Sequence, residues 1–231
     1  LTDFIGDAEL KSIMSDGYNA YTFIGNELKA AETPSLSKTD HQVCLAHARA
    51  KFVKASEQAG DKNADIFIKY MEDLYNLERQ YTKDNLTDEE RGKQRQSLET
   101  KGILINLRTH LGIEKAKDPA TVTPYLQKAL NYLDTFWTNL FTYIKDGSYP
   151  IDNNAAERAV RPLTTQRNSM LHFGSDEGAK MAATYHSIIS TVKLQGRSTW
   201  DYLGKFFVNI FNGCRDFFSL RPGNIGLATC Q

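Results

Sequence analysis

Cysteine is scarce in this chain, and what is missing narrows the field before any motif is read. Cys44, Cys214 and Cys230 are the only three in 231 residues. They are too few and too scattered for a disulfide framework, and point instead to a reducing, intracellular setting. No apolar run approaches membrane-spanning length, and no charged-then-apolar leader opens the chain. Net charge is absent too: 28 Lys and Arg balance 28 Asp and Glu, so no global field gathers a polyanion. From residue 150 onward, nine Lys or Arg meet six Asp or Glu, so any polyanion site is expected to be local. No internal repeat or low-complexity block is visible. The chain opens at Leu1 on a stretch that reads as the middle of something, so an upstream part is expected.

What is present is mostly helical periodicity, in a chain long enough for one large domain or two small ones. The convincing strand candidates are "IMSDGY" and "HQVCLAH", each short and followed at once by helical sequence. Residues 47 to 82 read as two helices broken near Gly60. Phe67, Tyr70, Met71, Leu74, Leu77 and Tyr81 recur at helical spacing in the second. Thr87 opens a third helix as a capping box with Glu90. Its start, "DEERGKQRQ", reads as a solvated face, while Ile103, Leu104, Leu107 and Leu111 read as buried. Thr123 caps a fourth helix with Pro124 at its first position, and its apolar stripe runs from Leu126 to Ile144. Ser175 and Ser198 cap two further helices, the last with Trp200, Leu203, Phe207 and Ile210 on one side.

"YPIDNNAAERAVRPL", residues 149 to 163, is the least ordinary stretch. Asn154 and Glu157 have capping-box spacing, which is a sufficient structural account of the glutamate. Helical geometry also gathers Asn153, Asn154 and Arg161 on its face, a set suited to a metal-bound phosphate. Asp152 reads as the helix cap or as a second ligand. Asp16 in "SDGY" fits a common turn pair, yet a carboxylate at a strand end is also where Mg²⁺ would be held. Cys44 and His47 in "CLAHARAKF" have metal-like spacing without a second close pair for zinc. Arg49, Lys51, Arg158, Arg161 and Arg167 suit phosphate contacts or a solvated face equally. "QRNSMLHFGS" reads as a connector between helices, and such a connector could touch DNA.

Taken in order, "SDGYNAY", "CLAHARAKF", "DEERGKQRQ", "DGSYPIDNNAAERAVRPL", "GSDEGAKMAATYHSIISTVKLQG" and "WDYL" resemble the transposases of the insertion-sequence 66 family, which use DDE chemistry. The resemblance reaches to about residue 207. It implies a mainly α fold with a small α/β part: an incomplete ribonuclease-H-like catalytic core carrying a long all-helical insertion. Residues 1–58 would be the first core segment, holding the fourth and fifth strands, and 59–148 the insertion. Residues 149–213 would be the second core segment, and 214–231 a C-terminal tail.

The resemblance also implies roles. Asp16 looks like the second acid of the triad and Glu157 like the third, together holding a two-ion site for Mg²⁺ or Mn²⁺. Arg49, Lys51, Arg158, Arg161 and Arg167 are the implied DNA contacts. The implied partners are transposon-end and target DNA, the upstream part of the same polypeptide and further copies in a homo-oligomer. The implied setting is the bacterial cytoplasm, near the nucleoid and away from membrane. The first catalytic aspartate is expected upstream of Leu1, since Asp3 and Asp7 leave too little chain for three strands. Ala50 stands where the family often has arginine. The piece alone is therefore expected to be inert. The alternatives are a non-enzymatic helical DNA-binding or assembly module, a decayed remnant, or a metal nuclease that cuts without joining.

Overall fold

The computed structural model describes residues 8–26, 36, 38–170 and 172–225. The chain divides into two compact units, Leu1–Asn154 and Ala155–Gln231. It is mainly helical, with one two-stranded parallel sheet among the described residues.

In the first unit, β1 (Ser12–Ser15) and β2 (Asp40–Val43) pair in parallel, Ser12 opposite Asp40 and Ser15 opposite Val43. These are the two strands expected from the sequence. Parallel neighbours need a long crossover, which residues 16–39 supply. The ladder is extended at both ends, by Asp40 N–H to Lys11 O at 2.9 Å and Cys44 N–H to Ser15 O at 3.0 Å. β1 therefore runs straight into the turn that carries Asp16, and β2 through Cys44 into α1, which carries His47, Arg49 and Lys51.

Helices α1 (Leu45–Ala59) and α2 (Lys62–Lys83) are broken at Gly60 as expected. On α1, Leu45, Ala48, Phe52 and Ala55 are buried, the spacing of one helix face. On α2 the buried apolar face is Ala64, Phe67, Met71, Leu74 and Tyr81. Phe52 and Phe67 stack between them with ring centroids 4.6 Å apart. Leu107 and Leu111 from α4 (Leu98–Lys115), and Leu126, Ala129, Leu130 and Leu133 from α5 (Pro124–Thr135), close the same core. The helices of residues 59–148, expected as an insertion, share one core with α1.

Three readings need correction. The third helix is two: α3 (Asp88–Arg95), with the expected Thr87–Glu90 capping box, and α4, capped anew by Ser97. "DEERGKQRQ" is not a wholly solvated face either, because Arg95 is buried and forked onto Glu78. The fourth helix ends at Thr135. It is followed by a short turn of helix, α6 (Trp137–Leu140), and a tighter turn over Thr142–Lys145. Phe136 and Phe141 leave helical geometry at each break, with φ near −100°. These breaks let the apolar stripe turn and stay on the core.

The second unit holds most of α7 (Asn154–Met170), then α8 (Asp176–Leu194) and α9 (Thr199–Phe211). Ser175 and Ser198 cap the last two, accepting from Gly178 N–H and Asp201 N–H. A small core joins Val192, Tyr202, Cys214, Leu220 and Ile225. The expected apolar side of α9 is split. Leu203 and Ile210 pack on this core, whereas Trp200 is 84% exposed and Phe207 49%.

Candidate metal and DNA-contact residues

Asp16 follows β1 directly and heads a Gly turn, as its sequence context indicated. Its carboxylate is exposed, and Oδ1 accepts from Tyr18 N–H at 3.0 Å. The other carboxylate oxygen accepts no hydrogen bond from the described residues. The main chain around it is gripped from several sides. Tyr132 on α5 donates its hydroxyl to Asp16 O at 2.7 Å. Ser15 Oγ accepts from Gly17 N–H at 3.2 Å and lies 2.8 Å from His41 Nε2, one strand away. Burial lowers the basicity of His41. Burial first, then the charges of Cys44 and Asp16, pushes the Tyr132 phenol well above the usual tyrosine range.

The cations of α1 part company because positions two apart face different sides of a helix. Arg49 turns to Glu72 on α2, at 3.7 Å. Lys51 turns to α5, its Nζ 4.6 Å above the centre of the Tyr132 ring. Lys51, Tyr132 and Asp16 therefore form one connected group, while Arg49 belongs to another. Tyr132 escaped the sequence reading for a plain reason. Nothing local marks a helical tyrosine that reaches a carbonyl 116 positions away.

The run from Tyr149 to Asn154 is fastened to the ends of both strands. Tyr149 donates to Lys11 O at 3.2 Å and reaches Asp40 Oδ2 at 3.1 Å, and its hydroxyl is pushed up to about 12 by burial and then by Asp40. Ile151 O accepts from Leu45 N–H at 3.3 Å, and Asn153 N–H donates to Cys44 Sγ at 3.3 Å. Cys44 is fully buried, as its structural reading anticipated, and burial raises its thiol above the ordinary range. Asp152 caps as expected, Oδ1 accepting Asn154 N–H at 3.0 Å and Oδ2 the Asn154 side-chain amide at 2.7 Å. Behind it, burial first and the Asp152 charge second raise the Tyr75 hydroxyl.

In the second unit, Glu157 occupies the first turn of α7, exposed, where the helix dipole favours an anion. Arg158, Arg161 and Arg167 follow it on the same helix, all exposed. Arg167 is helical, so the connector expected around it is confined to the residues between Met170 and Asp176. Pro162 lies inside the helix and removes one backbone donor, leaving Arg158 O without its usual partner. Arg158 borders a cleft of about 670 Å³ that also meets Pro162, His186 and Lys193. His186 Nε2 is 2.6 Å from Gln166 Oε1. Asp16 thus stands in one unit and Glu157 in the other.

Asp16 and Glu157 are exposed carboxylates, the oxygen ligands that Mg²⁺ prefers. No helix among the described residues is long and apolar enough to cross a membrane.

A family model described as "Transposase IS66 family" matches residues 3–181. Two curated proteins of Sinorhizobium fredii are similar to this chain. "Uncharacterized protein y4qI" is 30% identical over 213 residues, covering 90% of this chain and 38% of its own length. "Uncharacterized protein y4jD" is 26% identical over 202 residues, covering 86% and 37%. The chain therefore spans little more than a third of the length of these relatives. No solved structure matches it.

Proposed function

The chain belongs to the IS66 family of transposases, and from that premise we propose that it is part of a DDE catalytic domain that cuts and joins DNA at insertion-sequence ends. The observation that carries this reading is the family match over residues 3–181, which includes both candidate acids. In this reading β1 and β2 are the fourth and fifth strands of a ribonuclease-H-like sheet, and residues 59–148 are inserted between that sheet and α7. Asp16 and Glu157 are metal ligands, and the first aspartate comes from sequence upstream of Leu1. The exposed Asp16 carboxylate at a strand end supports its role.

Divalent ions, when bound, supply the Lewis acidity that activates water and then a DNA 3′-hydroxyl. The chain's own residues do the rest. Asp16 and Glu157 fix carboxylate oxygens for those ions. Arg158 and Arg161, one and four positions beyond Glu157, neutralise phosphate charge beside them. Lys51, beside the Asp16 turn, and Arg167 hold the DNA backbone, and Arg49 does so after leaving Glu72. Transposon-end DNA, target DNA and further copies of the protein are the partners.

The test is Mn²⁺-dependent nicking and joining of terminal-repeat DNA by the longest polypeptide the gene encodes. Asp16→Asn and Glu157→Gln are each expected to lower the rate at least about 100-fold. Activity indifferent to both would overturn the assignment and leave a helical DNA-binding or assembly module. Nicked product that never joins would instead indicate a hydrolytic nuclease.

A further inference from the structure

The turn that presents Asp16 is held by α5, not by the sheet alone. Three observations converge on one side chain. The Tyr132 hydroxyl donates to Asp16 O at 2.7 Å, which fixes the peptide between Asp16 and Gly17. Gly17 has φ +80°, and a Cβ there would stand 2.8 Å from Tyr132 Oη and 3.1 Å from Phe136 Cε2, so the turn lies directly against the ring. Phe136 braces Tyr132 from one turn on, ring centroids 4.9 Å apart, and Lys51 covers the ring face at 4.6 Å.

We infer that Tyr132 is a positioning residue for Asp16, fixing the direction in which its carboxylate meets a divalent ion. This rests on the reading of Asp16 as a metal ligand. The physical reason is geometric. A carboxylate on an exposed turn samples several backbone orientations, and an ion favours only those that aim an oxygen at it. Clamping the carbonyl of the ligand's own residue removes rotation of the adjoining peptide, while the Asx bond from Tyr18 N–H orients Oδ1. The remaining oxygen is then presented outward. Side chains that orient ligands in this way typically matter about 10-fold to 100-fold in metal affinity. Lys51 gains a role as well. Its charge over the ring shields the clamp and keeps an ammonium group near the Asp16 turn, where a phosphate would arrive.

The test compares the chain with Tyr132→Phe and Asp16→Asn, following the backbone resonances of residues 16–18 during Mn²⁺ titration. Loss of the bond should move the Asp16 carbonyl carbon and the Gly17 amide nitrogen before any metal is added. Tyr132→Phe should then need about tenfold more Mn²⁺ for half-maximal broadening of Asp16–Tyr18, with the remaining resonances undisturbed. Asp16→Asn should abolish that broadening. If Asp16→Asn broadens like the unsubstituted chain, the reading of Asp16 as a ligand falls. If Asp16→Asn responds as expected but Tyr132→Phe broadens at the original Mn²⁺ concentration, the positioning role alone falls. Should Tyr132→Phe fail to fold, the unsubstituted chain decides. Mg²⁺ should shift the Tyr132 Cζ resonance with the same midpoint as Asp16 Cγ, and a silent Tyr132 would overturn the inference.

Discussion

Arg95 and Glu78 meet inside the first unit through a two-pronged contact, Nε to Oε1 and Nη2 to Oε2, each 2.8 Å. The arginine side chain is 1% exposed. Nη1 donates to both Tyr143 O and Asp146 O, and Cζ lies 4.9 Å from the Tyr143 ring centre. One guanidinium thus ties α2, α3 and the turn after α6 together. Removing Glu78 strands the buried guanidinium, which typically costs about 3–5 kcal/mol, whereas removing Arg95 leaves Glu78 with Arg91, 3.4 Å away. Glu78→Gln should therefore lower the urea midpoint by the larger amount and Arg95→Ala by less. Pairing Arg95→Met with Glu78→Leu should cost less than the two single changes added together.

Gly147 packs against α3 where no side chain fits. A Cβ would stand 1.8 Å from Asp88 O and 2.8 Å from Gly92 N, both backbone atoms that cannot swing aside. Gly147→Ala should therefore separate the loop from α3 and lower the melting temperature sharply. Gly60 provides the control. It has φ +63° and nothing within 4 Å of its Cβ position, so Gly60→Ala should carry only the left-handed penalty of roughly 1–2 kcal/mol. Equal losses at the two sites would contradict this account.

What was legible in the sequence divides along the length of the signal. The Thr87–Glu90 box, the Thr123–Pro124 start and the Ser175 and Ser198 caps each act within four residues, and all four are present. Ser97 carries the same kind of signal, accepting from Thr100 N–H, but the periodic run around it hides the cap. The breaks at Phe136 and Phe141 have no Gly or Pro to announce them, because tertiary packing imposes them. Contacts that span the chain were invisible. Arg95 looked solvated because its neighbours are, and its acceptors on Tyr143 and Asp146 lie about 50 positions away. Asp16 was visible by type and by strand-end placement, whereas its clamp on α5 was not.

Cys44 should behave as a silent thiol. It is fully buried at the start of α1, takes a hydrogen bond from Asn153 N–H, and its thiol is raised first by burial. Only the thiolate reacts with alkylating reagents. Labelling should therefore wait for local opening, at least about 100-fold slower than in denaturing urea, or roughly 3 kcal/mol of protection. Peptide mapping after timed iodoacetamide exposure measures this for Cys44 alone. Fast labelling in the native chain would mean that the Tyr149–Asn154 run is not fastened over it.

His41 should leave a mark on stability as pH changes. It is 7% exposed beside Ser15, and burial lowers its basicity from the ordinary value of 6.5. Below that value the unfolded chain takes a proton that the folded chain refuses, so the unfolded state binds more protons. Stability is accordingly complete above about pH 6.5 and declines as pH falls toward the folded-state value. The hydrogen bonds explain why the ring resists. Ser15 Oγ already accepts from Gly17 N–H, so its own proton is free to point at Nε2, which then serves as an acceptor. Protonating Nε2 would force that hydroxyl to turn and would charge a buried ring. His41→Gln removes the titrating group while keeping polar atoms near Ser15. The difference in unfolding free energy between His41→Gln and the unsubstituted chain should shift in favour of His41→Gln as pH falls from 7.5 to 5.5, the approximate window of histidine titration. A difference that stays constant across that interval would mean that His41 binds its proton equally well folded and unfolded.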